Sequence, residues 1–567
     1  MDGDGLGHLL GAYAARSCPV VVQWDVLRPT EPAAAPPFLA ALGLAGERFE
    51  AAIFERLSAA HANLVVVDAV AGAEERETIT VEAMERGAKL VLGGRLPVDR
   101  AAGRVAQPDV LVRDEVVAPS GRWCYLPVEV KHHYVLDAEV GTRVVVQALS
   151  ALGPPDTAAG VTAGRRDAAL KDDLLQLAHY RRALEACGRA SPGAVWAGVV
   201  GRENFAVWHR LDAPMWQHTD DRGLRLRDAT TLAVYDHEFA RRRAIAATAA
   251  AHASDRSKPL PVQPVQISEC PNCRWRAHCG GLLAKRQDAS LLPSVNRTRW
   301  SALRAAGLDT VPALVATETE QEVAGLQDGQ LARIRDEALA RTSTAPLFRR
   351  RHVDRLEMPR ADVEVDVDME NVEGGAYLWG TLAEDRAGTG CVDPGFRAFV
   401  DWSQDAAAAG AAAFDAFWGW LQRLRACCAA RGASFAAFCW SAGAENSWLR
   451  QGAAKLDVED EVEEFIASQQ WVDLLPIVRS QTVTGYGFGL KLVAPLVGFH
   501  WRDEDPGGAQ SMRWWQDAVD PALSARARAR ERERLLAYNH DDVAATAHLR
   551  RWLDAHGDTV PSIAELG

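Results

Sequence analysis

The segment Asp362–Glu370 constrains the fold more strongly than any other part of this sequence, because acidic and apolar side chains alternate along it. Successive side chains of a β-strand point to opposite faces of the sheet, so this alternation predicts a strand with one face in a core. The other face then carries a row of carboxylates. Like charges on one strand face are destabilising unless a cation neutralises them, so the sequence predicts a cation beside this strand.

A second pattern consists of two short β-branched runs, Pro108–Val112 and Tyr125–Lys131, which flank a turn and predict a β-hairpin. Alternation places Glu129 and Lys131 on one face of the second strand, where both can converge with Asp109. Carboxylate oxygens bind Mg2+ or Mn2+, and a lysine stabilises charge near an attacking water. This is the chemistry of phosphodiester hydrolysis, although an ordinary edge hairpin would show the same pattern.

The hairpin resembles the PD-(D/E)XK nuclease motif, with Pro108-Asp109 as its first part and Glu129-Val130-Lys131 as its second. The resemblance implies that Asp109 and Glu129 bind the metal ion. It also implies that Lys131 assists the attacking water.

Two helical segments extend the resemblance to RecB-type nucleases. Gln176 and Tyr180 are four residues apart, so they share a helix face, and they resemble the Gln-x3-Tyr motif that orients the DNA strand and the catalytic groups. RecB-type nucleases commonly place a His-Glu pair upstream of the hairpin. Here Phe49 occupies the histidine position, so only Glu50 carries over as a metal ligand.

Three cysteines, Cys270, Cys273 and Cys279, have a C-x2-C-x5-C spacing that forms one end of a metal site. For zinc, Cys18 or His278 could be the fourth ligand. One cysteine before the nuclease core and three after it also resemble the iron-sulfur RecB-type nucleases. That resemblance implies a [4Fe-4S] cluster on Cys18 and the three spaced cysteines, with Zn2+ as the alternative. The other cysteines are predicted to be buried small apolar residues: Cys124, Cys187, Cys391, Cys427, Cys428 and Cys439.

The segment Leu303–Leu314 predicts a helix, a glycine turn and a second helix, and another glycine turn lies at Gly325–Gly329. These turns resemble helix-hairpin-helix units, whose turn amides donate hydrogen bonds to a DNA phosphate, although a plain helical linker fits nearly as well. The most basic stretch of the chain is adjacent, and we expect it to contact phosphates, with a solvated linker as the alternative. Its arginines are Arg341, Arg349, Arg350, Arg351, Arg355 and Arg360.

At the end of the chain, Tyr538 and Asp542 are four residues apart on a predicted helix. With Asp368-x-Glu370 they resemble the last and first motifs of DEDD exonucleases of the ribonuclease-H-like fold. In that family four carboxylates hold two metal ions and the tyrosine orients the water. Asp366 is the alternative to Asp368 if the register is shifted.

The resemblance also requires a middle acid after a strand and at the start of a helix. Glu445 has that context, where the family usually has aspartate, and Asp473 is the competing candidate. The segment Tyr486–Leu492 resembles a loop-to-helix entry of the same fold, with no chemistry assigned to it.

The formal net charge of -13 argues against a protein that coats DNA, because phosphate binding needs local positive potential. No apolar run reaches membrane-spanning length, and the start at Met1–Asp4 lacks the basic segment of an export signal. We therefore expect a cytoplasmic protein without membrane contacts. No Walker-type phosphate loop is present, so no ATP motor is expected.

The resemblance covers nearly the whole chain and implies an α/β fold with three parts. These are a restriction-endonuclease-like PD-(D/E)XK domain at 1–288, a helical hairpin connector at 289–350 and a ribonuclease-H-like DEDD 3'-5' exonuclease domain at 351–567. The implied function is a metal-dependent deoxyribonuclease, an exonuclease on single-stranded DNA ends in repair, recombination or defence. Two alternatives stay open: a nucleic-acid-binding adaptor for a helicase, with one or both sites inactive, and an exonuclease directed at RNA.

Overall fold

The computed structural model divides into two compact units, unit 1 (Met1–Leu283) and unit 2 (Ala284–Gly567). The predicted domain boundaries at 288 and 350 stay predictions.

The start of the chain, on which the expected lack of an export signal depends, lies outside the described residues. No helix in the described part of the chain is long and apolar enough to span a membrane. The structure describes residues 8–29, 37–155, 160–165, 167–193, 195–220, 222–318, 321–345, 347–503 and 508–566.

Unit 1 is a mixed α/β unit, as the sequence predicts. Its helices are α1 (Pro19–Leu27), α2 (Pro37–Ala60), α3 (Ala73–Glu85), α4 (Asp167–Ala186), α5 (Thr231–Ser254) and α6 (Arg276–Arg286), within which the boundary falls. Its strands are β1 (Leu64–Val66), β2 (Leu90–Leu92), β3 (Val110–Val117), β4 (Trp123–Val130), β5 (Leu136–Ala148), β6 (Gly160–Arg165), β7 (Trp196–Val200), β8 (Phe205–Arg210), β9 (Pro214–Thr219) and β10 (Arg225–Thr230). Short 3-10 helices lie at Leu149–Ala151 and Cys270–Asn272.

The main sheet of unit 1 has the strand order β1-β2-β3-β4-β7-β8-β5-β6, and β9 pairs separately with β10. Both faces of the main sheet are covered by helices. On one face Leu111 packs in a core with Leu174 of α4 and Phe239 of α5, and on the other Val110 packs in a core with Ile53 of α2. A strand buried on both faces needs a continuous apolar run, which explains the composition of β3 and β4.

The predicted hairpin is present as β3 and β4, which pair antiparallel with Val110 opposite Val128. Gly121 in its turn has φ +79°, a conformation that favours glycine. Asp109 immediately precedes β3, and Glu129 lies at the far end of β4. The pairing therefore brings the two acids to the same end of the hairpin.

Unit 2 also mixes helices and strands. Its helices are α7 (Arg297–Ala305), α8 (Val311–Ala316), α9 (Gln330–Thr342), α10 (Ala406–Ala430), α11 (Gly443–Leu456), α12 (Glu459–Ala467), α13 (Leu474–Gln481), α14 (Leu490–Val493), α15 (Gly508–Val519) and α16 (Ala525–His556). Its strands are β11 (Phe348–Arg349), β12 (Val363–Val372), β13 (Gly375–Asp385), β14 (Gly395–Val400), β15 (Phe435–Cys439), β16 (Trp471–Asp473) and β17 (Thr482–Val483). Short 3-10 helices lie at Ala289–Leu291, Ala494–Val497 and Ile563–Leu566.

The five-stranded sheet of unit 2 has the order β14-β13-β12-β15-β16. Strands β12, β13 and β14 form an antiparallel meander, whereas β15 and β16 run parallel to β12. The central strand β12 is the alternating acidic segment. Its apolar face, which includes Val365 and Val367, packs against Phe414 and Phe417 of α10.

The acidic face of β12 is only partly neutralised by the protein itself. Arg550 of α16 donates to Glu364, and its Nη2 donates to Asp366 at 2.7 Å. For Glu364 and Asp366, the required cation is thus the side chain of Arg550. Asp368 and Glu370, farther along the same face, do not share it.

Two cysteines contradict the prediction that they are buried thiols, because Cys391 and Cys427 form a disulfide. Cys391 lies in the loop after β13 and Cys427 near the end of α10, and the fold brings their Cα atoms to 5.7 Å. The packing of these two distant segments creates the pair. Cys187 is half-buried, whereas the remaining cysteines predicted to be buried are buried: Cys124, Cys428 and Cys439.

Candidate metal centres

The first candidate centre consists of Asp368 and Glu370 on β12 and Asp542 on α16. Ligand oxygens of these three carboxylates all lie within 4.8 Å of one another, and no other group of three or more potential ligands in the described residues is as close. Strand alternation places the first two on one face, and α16 crosses that face. Asp366, the alternative to Asp368, is instead paired with Arg550.

The electrostatics of this centre favour a bound cation. Burial raises the pKa of Glu370 to about 8, and the charge of Asp542 adds to the effect. Burial and the same neighbour raise the pKa of Asp368 well above its usual range. Carboxylates crowded in a buried site repel one another, and a divalent cation relieves that repulsion. The three residues therefore fit a Mg2+ or Mn2+ site.

Glu445, in the first turn of α11, is the fourth acid near this centre. Its side chain is buried, and its Oε2 has no hydrogen-bond partner in the described part of the chain. Burial raises the pKa of Glu445 to about 7, and its charge contributes to the raised pKa values of Asp368 and Glu370. An orphaned buried carboxylate oxygen beside three other acids is chemically suited to bind a metal ion.

The competing acid, Asp473, has a different environment. It caps the N-terminus of α13 by accepting from the amide of Leu475. Its two oxygens also accept from the amides of Ser441 at 2.9 Å and Ala442 at 3.0 Å. Asp473 therefore stabilises the turn that precedes α11, the helix that carries Glu445.

Several neighbours of the acids carry no sequence prediction. Lys491 donates to the hydroxyl of Tyr538, and its Nζ lies 3.4 Å from Oδ2 of Asp542. Trp501 Nε1 donates to the other oxygen of Asp542 at 2.6 Å. Lys491 belongs to the segment noted as a loop-to-helix entry, but one sequence offers no signal that this lysine reaches the acids.

Asn539 is another unpredicted neighbour, because its Nδ2 donates to Oδ2 of Asp368 at 2.9 Å. The contact depends on Gly380, which lies opposite Asp368 on β13. A Cβ atom at position 380 would lie 1.6 Å from Oδ1 of Asn539. Only glycine leaves room for this asparagine.

The second candidate centre lies at the open end of the hairpin in unit 1. Oδ2 of Asp109 accepts from the amide of Val130 at 2.8 Å, and Lys131 Nζ donates to Oε1 of Glu129 at 2.9 Å. Oε2 of Glu129 is buried without a partner in the described residues. Burial and mutual charge raise the pKa of Asp109 and of Glu50. These acids also fit a cation, although their oxygens are not as closely grouped as those of unit 2.

The predicted Gln-x3-Tyr pair contacts this second centre directly. Gln176 Nε2 donates to Oε1 of Glu129 at 2.5 Å and to the hydroxyl of Tyr180 at 2.8 Å, while its Oε1 accepts from Lys131 at 2.9 Å. Phe49, at the position of the missing histidine, packs against the ring of His132, with centroids 5.0 Å apart.

The four predicted cluster cysteines line one cavity of about 390 Å³ in unit 1. The amide of Cys18 donates to Glu269 at 3.1 Å, which places the start of α1 beside the Cys270–Cys279 segment. Burial raises the pKa of Cys279 to about 12, and the other three sulfurs add to the rise. Sulfur atoms whose charged forms repel one another suit a metal ion or cluster, although in the described residues no three of them are grouped as closely as the acids of unit 2. The cavity is many times larger than the ~30 Å³ occupied by one water molecule.

Comparison with known proteins assigns only part of the chain. A family model described as RNase_H superfamily matches residues 396–554. The matched region begins at β14, after the strand with Asp368 and Glu370, and contains Glu445, Tyr538 and Asp542. No curated protein and no solved structure matches the chain.

The C-terminal part of unit 2 therefore contains a ribonuclease-H-like domain. Such domains are typical of metal-dependent nucleases, so the match points to hydrolysis of nucleic acid. The restriction-endonuclease-like fold of unit 1 and the iron-sulfur cluster stay predictions.

Proposed function

We propose that this protein is a metal-dependent deoxyribonuclease whose ribonuclease-H-like domain hydrolyses phosphodiester bonds. The observation that carries the proposal is the group of Asp368, Glu370 and Asp542, whose oxygens lie within 4.8 Å of one another. Asp542 lies within the matched region, and the other two acids lie on β12, just before it. Bound Mg2+ or Mn2+ would polarise the phosphate and lower the pKa of a bound water.

In this proposal the residues have separate roles. The three grouped acids and Glu445 would hold the metal ions. Tyr538 orients the attacking water through its hydroxyl, whose position Lys491 sets by hydrogen bonding. Lys491 also provides positive charge next to Asp542.

The hairpin of unit 1 would form a second hydrolytic site. Asp109, Glu129 and Glu50 would bind the metal ion, and Lys131 would stabilise charge near the attacking water. Gln176 and Tyr180 position these groups and the strand. The assignment is supported by Oε2 of Glu129, which has no hydrogen-bond partner among the described residues, and by the hydrogen bonds of Gln176.

For the substrate we propose single-stranded DNA ends, cleaved exonucleolytically from the 3' end by the ribonuclease-H-like domain. The four cysteines would hold a [4Fe-4S] cluster that ties the two ends of unit 1 together, with Zn2+ as the alternative metal. A helicase is the partner class that supplies such ends.

The proposal predicts a large loss of hydrolysis rate in Asp368→Asn. Loss of a residue that only supports a metal ligand lowers the rate by about 10–100-fold, and the loss at Asp368 should be greater. Labelled single-stranded DNA, duplex DNA and RNA are incubated with the purified chain in Mg2+ or Mn2+. Asp109→Asn tests unit 1 in the same assay. Asp415→Asn, an exposed acid of α10, is the matched control and should leave the rate unchanged.

If all three nucleic acids stay uncut in Mg2+ and in Mn2+, the result would favour a nucleic-acid-binding adaptor over an enzyme. Activity that neither Asp368→Asn nor Asp109→Asn reduces would contradict both site assignments. Faster cleavage of RNA than of DNA would contradict the proposed substrate alone.

A further inference from the structure

A groove with a volume of about 640 Å³ lies in unit 2 between the first turn of α9 and the helix α13. Its lining is strongly basic. Arg333 comes from α9, Arg479 from α13, and Arg350, Arg351 and His352 from the segment that follows β11.

The acid in this groove is already neutralised. Asp336 is the one carboxylate that lines it in the described part of the chain. Arg351 donates to both of its oxygens, from Nη2 to Oδ1 at 2.6 Å and from Nε to Oδ2 at 3.2 Å. The other arginines of the groove therefore have no carboxylate of the groove to pair with.

Three guanidinium groups remain, those of Arg333, Arg350 and Arg479. Within the described residues, no hydrogen bond or ion pair joins any of them to a carboxylate. Arg350 Nε donates to the backbone carbonyl of Arg479 at 3.0 Å, which fixes the side chain along α13. Burial and the charge of Arg333 lower the pKa of Arg350, the charges of Glu337 and Asp336 oppose that change, and Arg479 adds to it. Positive charge concentrated in this way is relieved by a bound anion.

Other arginines of the basic stretch are used inside the fold. Arg341 donates to the carbonyl of Gly485, Arg349 to the carbonyl of Val560 and Arg360 to Glu364. The prediction that this stretch contacts phosphates stays a prediction, and these three arginines already have partners within the fold. Arg351 pairs with Asp336 and Arg355 with Asp558. Arg350 is left, and Arg333 of α9 and Arg479 of α13 join it in the groove.

We propose that this groove binds the phosphodiester backbone of the nucleic-acid strand. The ligand class rests on the proposed function. The planar guanidinium group matches the oxygens of a phosphate and can donate two parallel hydrogen bonds to it. Contacts of this kind position a strand without reading its sequence.

The position of the groove relates it to the acidic centre of the same unit. Helix α13, which carries Arg479, begins next to Asp473. Asp473 holds the amides of Ser441 and Ala442 at the start of α11, the helix of Glu445. A strand bound along α13 would therefore lie on an element connected to one of the proposed metal ligands.

The test is binding of fluorescein-labelled oligo(dT) to the full chain, measured by anisotropy in EDTA so that no metal-dependent hydrolysis occurs. The variant Arg333→Glu/Arg479→Glu changes two exposed side chains and leaves the buried part of the groove intact. Binding should weaken by roughly 10–100-fold, and the dependence of log affinity on log salt should become shallower by about 1.4, since each single-strand phosphate contact contributes about 0.7.

The matched control is Arg423→Glu/Arg526→Glu, which makes the same charge change at exposed positions of α10 and α16. Arg350→Lys keeps the charge but removes the paired donors, and should weaken binding less than the double variant. Equal binding by the groove variant and the control would overturn the proposal. A second pair of results would overturn the proposal in favour of a small-anion site. In that case inorganic phosphate raises the thermal unfolding temperature of the unchanged protein, and the groove variant binds oligo(dT) as tightly as that protein does.

This test fails separately from the test of the proposed function. Weaker binding by the groove variant, in a protein that cleaves nothing in Mg2+ or Mn2+, would support the groove and contradict the nuclease. Unchanged binding, in a protein whose cleavage Asp368→Asn abolishes, would do the reverse.

Discussion

Among single residues, Lys491 has the contacts that most directly affect the charge of the proposed metal ligands. It is the cation that contacts both Tyr538 and Asp542, and it belongs to the short helix α14. Burial raises the pKa of Asp368, Glu370 and Asp542, and the charge of Lys491 opposes that rise. A single lysine thus favours the ionised carboxylates that a metal ion requires.

We predict that Lys491→Met lowers the cleavage rate by about 10–100-fold, a loss comparable to that of a residue that supports metal ligands. Because the carboxylates then lose a nearby positive charge, their pKa values rise. The acidic limb of the pH–rate profile should therefore move to higher pH. Lys491→Arg, which keeps the charge, should recover much of the shift.

The measurement is the pH–rate profile of the three proteins at saturating Mg2+. A reduced rate with an unmoved acidic limb would mean that Lys491 supports the fold or the position of Tyr538 and not the ionisation of the acids.

At the scale of secondary-structure elements, β12 combines a structural half and a chemical half on one face. Asp366 is buried and paired with Arg550. Asp368 and Glu370 pair with no arginine among the described residues and are grouped with Asp542. The same alternation of residues therefore serves stability at the start of the strand and metal binding at its end.

We predict that Arg550→Met destabilises unit 2 by about 3–5 kcal/mol, because it leaves the buried carboxylate of Asp366 without its arginine partner. Arg551→Met, the neighbouring residue whose exposed pair with Glu384 spans 3.0 Å, should cost at most about 1 kcal/mol. Urea unfolding of the full chain measures both. Asp366→Asn combined with Arg550→Met should recover part of the loss.

A substitution at Asp368 is expected to have the opposite effect on the free energy of unfolding. In EDTA, Asp368→Asn removes one of several repelling carboxylates, so it should leave stability unchanged or raise it. A loss of stability like that of Arg550→Met would show that the acids at the end of β12 are also part of the structural network.

At the scale of the whole molecule, unit 1 is closed by contacts between its first and last segments. Arg274 pairs with Asp25, and the amide of Val262 donates to Gln23 at 3.1 Å. The four-cysteine cavity lies at the same place, because Cys18 begins the first helix and the other three cysteines end the unit. A cluster there would close a loop of nearly the full length of the unit.

We predict that Cys273→Ser abolishes a broad visible absorption band and lowers the stability of unit 1 by about 2–5 kcal/mol, the range for loss of a native cross-link. Closing a long loop restricts the unfolded chain strongly, which is the reason for the size of the effect. Absorption spectra and thermal unfolding of anaerobically purified protein measure both. Cys187→Ser, outside the cavity, is the control; a colourless protein with stoichiometric zinc would contradict the iron-sulfur cluster.

The sequence by itself determined the features that depend on local backbone geometry. Alternation along β12 predicts its apolar and acidic faces, because the period of a strand is two residues. The antiparallel hairpin and the shared helix face of Gln176 and Tyr180 follow from equally short-range rules. These patterns need no knowledge of distant segments.

Only the tertiary structure decided which distant groups meet. Backbone amides of residues 441 and 442 donate to Asp473, whereas Oε2 of Glu445 has no hydrogen-bond partner in the described part of the chain. Arg550 neutralises the start of β12, and Cys391 pairs with Cys427. Such partners are set by how helices pack on a sheet, and that packing depends on the whole chain and not on any window of its sequence.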